Sequence, residues 1–118
     1  MIVDDSAVVR RAMRRSFEIA GFYCSEAENA IEAIHDVVQE KPDVIVLDLS
    51  MPMMNGLQAA PLLRKALPHV PIILYTMHAS QVIEKLSRNA GISAVISKDE
   101  AMTRVVNEAH SLLNRSSS

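Results

Sequence analysis

The run Val44-Ile45-Val46-Leu47 constrains the chain more than any other stretch. It is unbroken, rich in β-branched residues and far too short for a membrane span, which is the pattern of a strand buried on both faces. Such a strand belongs in a sheet covered by helices on either side. The run ends in Asp48, and a polar loop containing Pro52, Asn55 and Gly56 follows. Asp48 is therefore expected at the carboxyl edge of a sheet, where open α/β sheets place their ligands.

The same grammar recurs along the chain. Met1–Val3 is a short apolar stub ending in Asp4 and Asp5; Phe22–Ala27 reads as a second strand; Ile72–Thr76 follows Pro71; and Ala94–Ser97 ends in Lys98. Helical spacing fills the intervals. From Ser6 to Ala20 the inward face at helical period is Val9, Ala12, Met13, Ser16, Phe17 and Ala20, with Arg10, Arg11, Arg14 and Arg15 mostly on a solvated opposite face, and Gly21 as the stop. Asn29 is placed to cap a helix carrying Ile31, Ile34, Val37 and Val38, which Pro42 closes. A third helix runs to about Leu67, and Pro61 is expected to delay its start or bend it. A fourth spans about Ser80–Ala90 before Gly91, and Asp99 is placed to cap a last one carrying Val105, Val106, Ala109, Leu112 and Leu113.

Strands alternating with helices in this way predict a doubly wound parallel α/β sheet with right-handed crossovers. All strand carboxyl ends then share one edge, so Asp4, Asp5, Asp48, Thr76 and Lys98 should converge. Gathered carboxylates repel and hold protons more tightly unless a cation sits among them. Mg²⁺ suits the set, since it takes oxygen ligands and is commonly bound by one or two carboxylates together with phosphate oxygens. A phosphoryl group on one carboxylate would supply those oxygens. Lys98 could neutralise one of them and the Thr76 hydroxyl could donate to another.

The remaining composition narrows the class. With 118 residues the chain is expected to form one domain, over residues 1–114, with a polar tail at 115–118 that reads as the start of a linker or a cut end. The brevity of the Met1–Val3 stub leads us to expect that residues precede it in the natural protein. A net charge of −2 argues against nucleic-acid contact by this segment. Cys24 has no intrachain partner, and no stretch is long enough to span a membrane or resembles a signal peptide, so a cytoplasmic location is expected. His35, His69, His78 and His110 show no metal-ligand spacing.

Val3–Ser6 (VDDS), Asp48–Gly56 (DLSMPMMNG), Tyr75-Thr76 and Ser97–Asp99 (SKD) together resemble the receiver domains of two-component response regulators, over essentially the whole chain. Each motif alone is weak. Lys98 alone reads as a solvated lysine, and Asp4 and Asp5 as a helix cap and its neighbour. Their order and placement on strand ends make the set specific. The resemblance implies a flavodoxin-like (βα)5 fold with strand order 2-1-3-4-5. It implies Asp48 as phosphoacceptor, Asp4, Asp5, Asp48 and the Ser50 backbone carbonyl as Mg²⁺ ligands, and Thr76 and Lys98 as readers of the phosphoryl group. The donor would be a histidine kinase, a phosphotransfer protein or a small acyl phosphate. The domain would be a self-catalysing phosphoacceptor rather than an enzyme with a separate substrate, and a homodimer formed on phosphorylation is a further expectation.

Departures from the family pattern refine this. Asp99 follows Lys98 where proline is usual; with Thr76-Met77-His78 this is similar to LuxR- or NarL-type receivers, which precede a helix-turn-helix domain. The expected output is therefore DNA-binding transcriptional control, the alternative being a stand-alone receiver acting by protein contact or in a phosphorelay. Val95 stands where an aromatic switch residue is usual, and Met77, at a position often small, is expected to screen the site. Two other classes fit less well. A nucleotide-binding flavodoxin-like domain calls for a glycine-rich phosphate loop where Asp4 and Asp5 stand, and a haloacid dehalogenase-type hydrolase usually has an aspartate at the position of Ser50.

Overall fold

The computed structural model describes residues 1–116. Strand β1 (Ile2–Val3) leads to helix α1 (Ala7–Ile19), β2 (Glu26–Ala27) to α2 (Ala30–Glu40), and β3 (Ile45–Leu47) to α3 (Gly56–Ala66). Then come β4 (Ile72–Thr76), α4 (Gln81–Asn89), β5 (Ala94–Ser97) and α5 (Met102–Ser116). All pairings are parallel and the strand order is β2-β1-β3-β4-β5, as expected. Registers such as Val3 with Leu47 and Leu47 with Leu74 bring the strand ends level.

Alternation along the strands divides the core into two layers. Val3, Ile45, Leu47, Ile72 and Leu74 face α2 and α3, with Ile83 of α4 against the same layer. Ile2, Val46, Ile73, Tyr75 and Ile96 face α1 and α5 through Met13, Phe17, Val105 and Ala109. Burial of these side chains is the main stabilising term, roughly 1.5–3 kcal/mol for each large aliphatic or aromatic group.

Several local expectations are corrected. The second strand is confined to Glu26–Ala27, because Phe22 turns its ring onto Phe17 and His110, with centroids 5.0 Å apart in both pairs. In α2 the sheet-facing residues are Ala30, Ala33 and Val37, while Ile31 and Val38 are exposed. Small side chains let α2 lie close to α3 and to the sheet. Helix α3 starts at Gly56, not late: Asn55 and Gln58 form a reciprocal capping box at 2.8 and 3.0 Å. Pro61 sits exposed inside that helix, where the N–H it lacks is the one that would reach Leu57. Asp99 caps nothing, since residues 97–100 form a turn in which its N–H donates to Ser97 Oγ and α5 begins only at Met102. Helix α5 continues through Ser116, past the expected boundary at residue 114, and the rest of the predicted tail lies outside the described residues. No helix among the described residues is long and apolar enough to cross a membrane.

Candidate functional site

Neighbouring backbones hold the acidic residues in place. The Asp48 N–H donates to Val3 O at 2.9 Å and the Asp4 N–H to Ala27 O at 3.2 Å, so both aspartates leave the sheet at one level. Asp4 then turns the chain: its Oδ1 accepts from Ser6 N–H at 2.9 Å, and Ser6 caps α1 by accepting from Val9 N–H. After Asp48 the chain must return into α3, and Gly56 makes that return fit. Its N–H donates to Leu49 O, and a Cβ there would stand 2.5 Å from the Asp48 carbonyl oxygen. This is why the Asn55-Gly56 pair closes the loop.

Asp4, Asp48 and Thr76 are buried, whereas Asp5 and Ser50 are exposed. One oxygen from each of Asp4, Asp5 and Asp48 lies within 4.8 Å of the others. The Lys98 ammonium is 2.9 Å from Asp4 Oδ2 and 3.3 Å from Asp48 Oδ1. Thr76 Oγ1 accepts from His78 N–H at 3.0 Å, and the Thr76 carbonyl receives Lys98 N–H at 2.8 Å. All the expected side chains therefore gather at one edge, and Ser50 lines the cleft beside them. That cleft, about 670 Å³, runs from Asp5, Ser50 and Asn55 to the apolar Met51, Leu57 and Ile83.

The electrostatics follow from crowding. Burial raises the Asp48 carboxyl above its ordinary value, the charge of Asp4 adds to this, and Lys98 opposes it. Burial alone would lower Lys98, but its bond to Asp4 and the charge of Asp48 leave it raised. Three carboxylates facing one ammonium leave surplus negative charge among hard oxygen donors, which suits a divalent oxygen-seeking cation.

Three features at this edge differ from the sequence reading or were missed by it. Met77 is 76% exposed, so its side chain stands in solvent rather than packed over the site. Tyr75 was missed as a brace: its hydroxyl donates to Glu100 O at 3.2 Å and its ring centroid lies 5.8 Å from the Lys98 ammonium. Arg10, assigned to a solvated face, is buried and donates to Asp4 O at 2.7 Å. Its spacing to Met13 and Phe17, three and seven residues on, was the available signal, for that stripe faces the core. Val95 is half-buried against the α2–α3 layer.

Comparison with known proteins agrees with this geometry. The chain is 30% identical over 117 residues to "Response regulator MprA" of Mycobacterium sp. (strain KMS), covering 99% of this chain and 51% of the relative. It thus spans about half the length of the curated relatives it matches. Among solved structures, the CheY-like response regulator receiver domain protein of Methanospirillum hungatei JF-1 superposes with a TM-score of 0.92 at 24% identity, covering 98% of this chain and 93% of that one. A LuxR-family two-component response regulator from Aurantimonas sp. SI85-9A1 gives 0.90 at 29% identity, covering 97% and 83%. The family profile of the response regulator receiver domain matches residues 1–110, and with the acidic edge in place the chain belongs to that family.

Proposed function

We propose that Asp48 accepts a phosphoryl group and that this event switches an output module. The observation that carries the reading is the Asp48 carboxylate, buried at the centre of the strand-end cluster with Lys98 at 3.3 Å. An Asp48 oxygen attacks phosphorus in line, the bond from phosphorus to the donor breaks, and the donor group leaves with that electron pair. The donor is the phosphohistidine of a kinase or phosphotransfer protein, or a small acyl phosphate. Lys98 stabilises the charge on the transferred group, and the Thr76 hydroxyl, whose oxygen accepts from the His78 amide, keeps its own O–H to donate to a phosphoryl oxygen.

Asp4, Asp5, Asp48 and the Ser50 carbonyl would hold Mg²⁺, which when bound neutralises phosphoryl oxygens and relieves the repulsion among the carboxylates. The output we infer is DNA binding by a further domain, supported by the half-length match to response regulators and by the Lys98-Asp99 and Thr76-Met77-His78 patterns. We place the protein in the cytoplasm, where such donors act.

Intact-mass measurement after incubation with acetyl phosphate and Mg²⁺ tests the phosphoacceptor. A single added phosphoryl group, absent from Asp48→Asn and absent with a chelator, is expected. Full labelling of Asp48→Asn would overturn the assignment.

A further inference from the structure

Arg10 carries a charge into the protein interior from a helix position that would more simply hold an aliphatic residue. It lies in the same stripe of α1 as Met13 and Phe17, and its side chain is only 11% exposed. Burying an ion pair there brings little stability, because desolvation of both groups offsets their attraction. The contacts show what the arginine is set up to hold.

Its Nη1 donates to the backbone oxygen of Asp4 at 2.7 Å, and its Nε donates to Glu26 Oε1 at 3.1 Å. The second oxygen of Glu26 accepts from Arg14 Nη1 at 3.0 Å, so both carboxylate oxygens are engaged and Glu26 serves as a fixed anchor on the edge strand β2. The guanidinium is planar, and its forked donors orient two partners at once, which an ammonium cannot do.

The carbonyl that Arg10 grips belongs to the peptide joining Asp4 to Asp5. Gripping it fixes the plane of that peptide, and with it the direction in which Asp5 leaves the chain. Asp4 is already held by its N–H on Ala27 O and by Ser6 and Lys98 on its side-chain oxygens. Asp5 is exposed and takes its direction from the backbone.

We propose that Arg10, anchored by Glu26, is a positioning residue that presents the Asp4-Asp5 pair to a divalent cation. This rests on reading the acidic cluster as a cation site. The chemistry is that of groups behind a metal's direct ligands, whose loss typically weakens metal affinity about 10- to 100-fold.

The test uses the full chain with Arg10→Met, Arg10→Lys, Glu26→Gln and the control Asp4→Asn. Calorimetry measures Mg²⁺ affinity, and labelling by acetyl phosphate is followed against Mg²⁺ concentration. Arg10→Met should raise the Mg²⁺ dissociation constant and the half-saturating Mg²⁺ concentration together, by about tenfold. The labelling rate at saturating Mg²⁺ should be preserved. Arg10→Lys should recover part of the loss, and Glu26→Gln, which keeps the arginine but removes the charge of its anchor, should weaken Mg²⁺ in the same direction. Should Arg10→Met fail to fold, the Arg10→Lys and Glu26→Gln values decide. A fall in melting temperature with Mg²⁺ affinity unchanged would make Arg10 a structural residue only and overturn the proposal. Wild-type affinity retained by Asp4→Asn would overturn the cation reading itself, a separate and distinguishable outcome.

Discussion

At the carboxyl edge of the sheet, Asp4, Asp5 and Asp48 crowd together against the Lys98 ammonium. At the amino edge the proportions are reversed. There Arg64, near the end of α3, donates from Nη1 to the carbonyls of Leu67, Pro68 and Val70 and from Nη2 to that of Gly91, tying the loops that enter β4 and β5. One cation meets several neutral acceptors, and Gly91, at a φ of +89°, lies against the Arg64 side chain. Donors and acceptors are matched at the amino edge, whereas charge is left in surplus at the carboxyl edge. Chemistry needs the second condition and stability the first, so each edge should respond differently to substitution.

The largest effect is expected where the matching is best. Arg64→Ala removes the side-chain donor shared by four carbonyls, of which Leu67 O keeps the Val70 N–H, and should lower the free energy of unfolding by about 2 kcal/mol. Labelling of Asp48 should proceed at the wild-type rate at a temperature where the variant remains folded. Denaturant unfolding and intact-mass time courses check the two halves, and slowed labelling in the folded variant would end the separation of the edges.

Asp48→Asn should act in the opposite direction. Burial raises the Asp48 carboxyl, the charge of Asp4 adds to that, and Lys98 opposes it. The folded state thus binds this proton more tightly than the unfolded chain does. The stability contributed by this group is complete below the unfolded carboxylate pKa and is lost as pH rises through the raised folded value. In metal-free solution Asp48→Asn should therefore melt above the wild type at neutral pH, and the gap should close as pH falls toward the ordinary carboxylate range. A gap that stays constant with pH would mean that crowded charge is not the cause.

A finer test falls on the brace between the sheet and Lys98. Tyr75→Phe keeps the ring beside the ammonium but removes the hydroxyl that donates to Glu100 O, and should cost about 0.5 kcal/mol of stability. Amide exchange should quicken in residues 98–101 and remain unchanged in β1. The smallest effect is expected at Met77, whose side chain stands in solvent. Met77→Ala should leave labelling and dephosphorylation rates as they are, and an altered lifetime of the phosphorylated form under saturating Mg²⁺ would restore it as a cover.

What the sequence determined by itself is what short-range pattern encodes. The apolar runs ending at Leu47 and Tyr75 specified buried parallel strands, and the polar residues that follow them specified the site, because a strand's direction sets the edge at which its next residue emerges. The cap Asn29 was equally legible, since it acts on an N–H three residues on. The tertiary structure alone decided the matters that depend on distant partners. Arg10 reads as one of four surface arginines until Glu26, sixteen residues on, arrives to receive it. Ala30 and Ala33 rather than Ile31 face the sheet because α2 must also lie close against α3. The start of α5 was set by the turn at residues 97–100, which places Lys98 over the aspartates and makes Asp99 part of the turn rather than a cap. Local period fixes where side chains point along an element, but only assembly supplies the opposite charge or the close neighbour that makes a buried position tolerable.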